Sequence, residues 1–266
     1  MIGIFDSGVG GMTVARAIEQ TLPDHRLLYF GDLAHTPYGS KSRETINRYS
    51  CDNAEFLLQH GAKILVIACN SAASVATDTL QHLGGAPVFE VISPAVSEAV
   101  RTTKNGRIGV IGTRATIASG IYEKKIKAMD ATLTVISRPA PLLVPLVEEG
   151  WLRRRETKTI VRSYVSSLRQ HSIDTLVLGC THYPLLKDLI ACKVGKRTRV
   201  VDSSLALAAS LQAYLAAHPK LDAQLSRKKP GEEHRFFVSD ITEAAVTTAA
   251  SIFGRPIPLT RVSLPW

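Results

Sequence analysis

Short, uninterrupted apolar runs recur along this chain, and between them the apolar residues fall at helical spacing. The runs lie at 2–5, 27–30, 64–68, 88–92, 108–111, 133–136, 176–179, 199–201 and 236–238. A strand that alternates polar and apolar residues keeps one face in water, whereas a strand apolar at every position has both faces covered. Strands of the second kind, separated by helices, define an α/β protein whose sheets are mainly parallel and lie between helical layers. The stretch 42–60 shows the intervening pattern: Ile46, Tyr49, Phe56 and Leu57 share one face at 3.6 residues per turn.

The runs divide into two similar series. "IGIFDSG" (2–8) precedes a strand that ends at Cys69, and "IGVIGTR" (108–114) precedes one that ends at Cys180, at nearly equal separations. This weak repeat predicts two similar α/β domains. Residues 95–204 form the second; residues 1–94 with 205–266 form a discontinuous first, to which the late strand and a helix over 241–253 return. The hinge falls near 92–101. Ligands of open α/β sheets bind beyond the carboxyl ends of the strands, so two facing domains would put both cysteines on the cleft between them.

With 266 residues, 45% of them hydrophobic, the chain has ample material for such cores. No run approaches the roughly 20 apolar residues of a membrane span, and the first residues read as a strand, so a soluble cytoplasmic protein is expected. The four cysteines (Cys51, Cys69, Cys180, Cys192) include no Cys-x-x-Cys pair, which argues against a disulfide framework. A net charge of +9 raises the question of nucleic acid. The basic runs at 153–158, 193–199 and 226–235 lack interleaved aromatics, however, and read as a solvated face with some attraction for small anions. The oligomeric state stays open, a homodimer included.

A cysteine at a strand end that runs straight into a helix sits at the positive end of the helix dipole, which favours the thiolate. Asn70, Ser71 and Thr181 supply donors at those helix starts, suited to a carboxylate. One such cysteine would be an ordinary buried residue; the matched pair points to a site. Cys51, inside an amphipathic helix, and Cys192, near a helix end, read as structural. "DSGVGG" (6–11) lacks the spacing of a phosphate loop, and its carboxylate would repel phosphate. Asp6 suits an ammonium group or a supporting role to a proton acceptor, although a plain turn capped by Asp6 and Ser7 accounts for the same pattern equally well. "AHTPYGS" (34–40) would present the Tyr38 hydroxyl and the Gly39 amide to a ligand. His182, two residues beyond Cys180, reads as a general acid/base partner. Cys180 and His182 lack third and fourth ligands at zinc spacing, so no metal is expected. Glu148 alone would pass for a helix-surface carboxylate.

Taken together, "GIFDSGVGG", "TPYGSKS", "ACNSAA", "VPLVEEG" and "LGCTHYPLL" resemble the bacterial glutamate racemases of the aspartate/glutamate racemase superfamily, in family order from residue 3 to about 187. The resemblance implies an enzyme that needs no cofactor, takes L- and D-glutamate as its small-molecule substrates and supplies D-glutamate for peptidoglycan. It implies that Cys69 and Cys180 are catalytic, that Asp6 and His182 assist them, and that Glu148 supports the histidine. Asp6, Ser7, Tyr38, Gly39, Asn70, Ser71, Thr181 and His182 fall on substrate-binding positions, with Thr113 and Thr116 also facing the cleft. Two departures stand out: Ser71 occupies a usual threonine position, and Arg138 in "SRPAPLL" replaces a frequent cysteine. No extension precedes Met1, so activation by a cell-wall precursor is not expected.

The chemistry explains the pair of cysteines. Inverting a carbon without a cofactor takes a base on one face and an acid on the other, with the two thiols titrating as a unit. The carbanion that develops needs a closed, dry, electrostatically prepared cleft. Two rivals carry weight: an aspartate racemase, against which His182 speaks because related aspartate enzymes tend to have an acid there, and a non-catalytic gyrase-binding protein, against which the two intact cysteines speak.

Overall fold

The computed structural model describes residues 1–228 and 232–263. Residues 229–231, within the basic run at 226–235, lie outside the described residues. The chain opens with β1 (Ile2–Asp6), α1 (Met12–Thr21), β2 (Leu27–Gly31), α2 (Arg43–Gln59), β3 (Ile64–Ile67), α3 (Asn70–Leu83), β4 (Val88–Glu90) and α4 (Ile92–Thr102). It continues through β5 (Arg107–Gly112), α5 (Arg114–Ala118), α6 (Ile121–Met129), β6 (Thr134–Pro139), α7 (Leu143–Glu148), α8 (Arg155–Gln170), β7 (Thr175–Gly179), α9 (Lys187–Val194) and β8 (Arg199–Asp202). Then come α10 (Ser203–Ala217), α11 (Pro219–Gln224), β9 (Arg235–Val238), α12 (Glu243–Phe253) and β10 (Leu259–Arg261).

The strands form two sheets, ordered β10-β9-β2-β1-β3-β4 and β6-β5-β7-β8, and every pairing within them is parallel. The orders β2-β1-β3-β4 and β6-β5-β7-β8 are one arrangement used twice, so the sequence repeat is a repeat of topology; β9 and β10 extend the first copy. β1, β2, β3 and β7 are buried at every position, as strands covered on both faces must be. The chain passes between the sheets through α4 and again through α10.

Register places the strand ends. Phe5 pairs with Ile67, so two residues on Ser7 comes level with Cys69. Gly112 pairs with Gly179, so Thr113 comes level with Cys180. One apolar core runs from the larger sheet into α6 and α10, and a second lies under α7, α8 and α9.

Several expectations shift. The run 88–92 ends as a strand at Glu90, because the Glu90 carboxylate accepts from Ile92 N and, at 2.9 Å, from Ser93 N, which starts α4. The hinge stretch 92–101 is therefore this helix, with Ile92, Ala95, Val96 and Ala99 buried at helical spacing. The strand expected at 133–136 runs from Thr134 to Pro139, and β10 escaped notice because two of its three residues are exposed. Among the described residues no helix is long and apolar enough to cross a membrane.

Candidate active site

Both sheets present their carboxyl-terminal edges to one small cavity. Ser7, Cys69, Asn70 and Ser71 line it from the β1 and β3 ends; Thr113, Cys180, Thr181 and His182 line it from the β5 and β7 ends. Thr36, Pro37, Tyr38 and Gly39, from the loop after β2, and Val144 of α7 complete the wall.

Cys69 takes the N-cap position of α3 with extended backbone, and its thiol donates to Ser7 Oγ at 3.5 Å. The expectation that the helix start lowers this thiol is overturned. Burial raises it first, the Asp6 carboxylate raises it further, and the hydrogen bonds from Ser7 and Ala72 offset only part, so Cys69 is pushed up to about 12. The dipole is a surface-scale effect, while the loss of hydration of a buried thiolate is larger. On the other wall, Cys180 is followed by a 3-10 turn, Tyr183–Leu186, and α9 begins only at Lys187. The α-helix expected directly after this cysteine is displaced by that turn.

What Cys180 has instead is His182, with Nδ1 3.9 Å from Sγ, and His182 Nε2 lies 3.1 Å from Glu148 Oε1. Burial alone would discharge this imidazole, but its hydrogen bonds to Cys180 and Glu148, and their negative charge, hold it up to about 10. At neutral pH His182 is therefore charged, with Cys180 on one side and Glu148 on the other. Glu148 stands behind it, on a neighbouring cavity, and does not line the central one.

Asp6 is fully buried and also stands behind the wall. Its Oδ2 accepts from Gly8 N at 3.0 Å and its Oδ1 from Thr181 Oγ1 at 3.3 Å, so it joins the two halves. Burial raises its pKa; the His182 charge and these hydrogen bonds work in the opposite direction. Thr13 makes a parallel clasp, its single hydroxyl hydrogen shared between Gly10 O at 2.9 Å and Thr181 O at 3.0 Å. Gly10 is required by this closeness, since a Cβ there would lie 2.4 Å from His182 Nδ1.

Ser71, Thr113 and Thr116 form a ring of hydroxyls across the cavity, with Ser71 2.9 Å from Thr113 and Thr113 3.0 Å from Thr116. Thr116 closes the ring from behind; Gly39 packs against Thr113, where a Cβ would approach to 2.8 Å. Tyr38 departs from expectation: its hydroxyl donates to Asp32 at 2.6 Å and accepts from Asn53 Nδ2 at 3.0 Å, so the cavity meets other atoms of the residue. Asp32, itself buried, also accepts from Ser239 at 2.9 Å. Arg138, the other departure, turns away to Ser167.

Sequence reasoning missed Asp32, Tyr122 and Val144. Tyr122 donates to Asn70 Oδ1 at 2.7 Å, and the buried Asn70 Nδ2 has no partner among the described residues. An acceptor from outside the described residues, such as a ligand carboxylate, would satisfy that donor. Val144 opens "VPLVEEG" but is an ordinary aliphatic residue there; Asp32 precedes the "AHTPYGS" loop, and Tyr122 arrives from α6, outside every motif. The arrangement as a whole is a small anion-receiving chamber with a protonated thiol on one wall and a thiol beside an imidazolium on the other. That suits proton transfer to and from opposite faces of one atom.

These features define an amino-acid racemase, and the chain belongs to the Asp/Glu/hydantoin racemase family, whose model matches residues 11–211. It is 43% identical over 254 residues to the glutamate racemase of Geobacter metallireducens, covering 95% of this chain and 92% of the relative. Its structure superposes on glutamate racemase isoform RacE1 from Bacillus anthracis with a TM-score of 0.93 at 37% identity, covering 100% and 98% of the two chains. The glutamate racemase of Francisella tularensis in complex with D-glutamate gives 0.90 at 34% identity, covering 99% and 97%.

Proposed function

We propose that this protein is a cofactor-independent glutamate racemase that interconverts L- and D-glutamate by proton transfer between Cα and two cysteines. The observation that carries the reading is that Cys69 and Cys180, from equivalent strand ends of two different sheets, line one cavity. Each has its own polar partner: Ser7 for Cys69, and His182 with Glu148 for Cys180.

Cys180 removes the α-proton of L-glutamate while Cys69 delivers a proton to the opposite face; from D-glutamate the roles reverse. A Cys69 held as S–H and a charged His182 facing Cys180 form the state ready for the L-enantiomer. The unpartnered Asn70 amide, the Ser7 and Ser71 hydroxyls and the start of α3 receive carboxylate oxygens. Thr181 and Asp6 tie the halves together around the substrate, and exclusion of water strengthens every charge interaction that steadies the carbanion. Residues 1–94 with 205–266 and residues 95–204 act as the two domains whose closure forms the chamber. D-Glutamate made in the cytoplasm then serves peptidoglycan synthesis.

The test is a racemisation assay in D₂O with L-glutamate, without pyridoxal phosphate or metal. Loss of optical activity with deuterium entering Cα supports the reading. Conversion of aspartate in preference to glutamate would move the substrate assignment, and conversion of neither would end the enzyme reading.

A further inference from the structure

Asn70 follows Cys69 directly and lines the cavity, so the orientation of its amide decides whether substrate meets a donor or an acceptor. The amide is planar and nearly symmetric in shape; only its hydrogen bonds distinguish the two orientations. One end is occupied: Oδ1 accepts from Tyr122 Oη at 2.7 Å. The other end, Nδ2, is buried and unpartnered among the described residues. Reversing the amide would leave the Tyr122 hydroxyl hydrogen without an acceptor and turn an oxygen toward an incoming carboxylate.

We propose that Tyr122 is a positioning residue for substrate: its hydroxyl fixes the Asn70 amide so that Nδ2 receives a carboxylate oxygen of glutamate. Tyr122 is well placed for this. It is 2% exposed, and its ring lies against Gly179, where a Cβ would come within 3.2 Å of the ring, so it sits beside the residue that precedes Cys180 as well as the residue that follows Cys69. Its helix, α6, is anchored one turn further on by Lys125, whose Nζ donates to Ser93 Oγ at 2.7 Å. Burial raises the Tyr122 pKa well above its ordinary value, with the charges of Glu90 and Cys180 adding to the effect, so the hydroxyl remains a donor throughout the working range. Because α6 follows β5 and Asn70 follows β3, the bond also couples the geometry of one half to a binding group of the other.

The inference rests on the glutamate racemase reading, and wild-type turnover of glutamate is the control that separates the two. In Tyr122→Phe the KM for both enantiomers should rise roughly three- to tenfold, the range set by one lost hydrogen bond, while kcat stays within about twofold, as expected for an interaction made equally in ground and transition states. In an Asn70→Ala background the same change should add nothing. An unchanged KM in an active, folded Tyr122→Phe, including one with a lowered melting temperature, would overturn the proposal, as would simple additivity with Asn70→Ala. Should Tyr122→Phe fail to fold, nitrogen NMR of the wild-type enzyme decides: the Asn70 side-chain amide resonance should shift on adding D-glutamate, and an unmoved resonance refutes the assignment.

Discussion

Replacing Glu148 with glutamine removes a negative charge from behind His182 while preserving the side chain's size. His182 Nε2 lies 3.1 Å from Glu148 Oε1, and this contact together with Cys180 keeps the imidazole charged against the burial that would discharge it, up to about 10. A hydrogen bond to a charged group contributes about 1.5–3 kcal/mol. Glu148 is 34% exposed, so water screens part of that and about 1–1.5 kcal/mol applies. At about 1.4 kcal/mol per pH unit, His182 should fall by about one unit, to about 9. A neutral His182 gives no charged partner to a Cys180 thiolate. The alkaline limb of kcat/KM, which reports the free enzyme, should therefore move from near pH 10 to near pH 9.

The measurement is initial rates by circular dichroism from both enantiomers, from neutral pH to pH 11. Stability follows the same sign. The folded His182 pKa is raised, so its contribution is complete below about 6.5 and is lost as pH rises through about 10 in the wild type; in Glu148→Gln the loss comes earlier. An alkaline limb that stays in place while activity falls evenly at all pH values would refute the reasoning.

Cys69→Ser and Cys180→Ser should each depress racemisation by about 100-fold or more in both directions. With glutamate analogues bearing a leaving group on Cβ, Cys69→Ser should still eliminate from the L-form and Cys180→Ser from the D-form, read by release of that group; either variant acting on both forms would contradict the two-base split. Gly10→Ala puts a methyl 2.4 Å from His182 Nδ1 and 2.7 Å from Thr181 Oγ1. It should push the halves apart and lower kcat/KM by about 100-fold, with the far-ultraviolet spectrum intact. Tyr38→Phe should leave KM within about twofold and destabilise the fold by about 1–3 kcal/mol in urea, since its hydroxyl serves the buried Asp32 rather than the cavity.

Local sequence was enough for the elements that a covered parallel sheet imposes on composition. Strands apolar through their middles, as in β1, β3 and β7, read directly, because burial on both faces disfavours polar residues except at the strand ends. The doubled strand-end cysteine was equally legible, since the order β2-β1-β3-β4 and its copy β6-β5-β7-β8 place equivalent strand ends at equivalent points of the chain. Protonation was not legible. Sequence places Cys69 at a helix start, where a thiol should ionise easily, yet its surroundings and Asp6 make it the proton-bearing thiol, because hydration lost on burial depends on neighbours from every part of the chain. The Tyr38 hydroxyl, taken by Asp32 and Asn53, and the Asn70 amide, held by Tyr122, belong to the same class. A hydrogen bond between side chains far apart in sequence leaves no periodicity along the chain, and only the packed structure decides which end of a polar group faces the substrate.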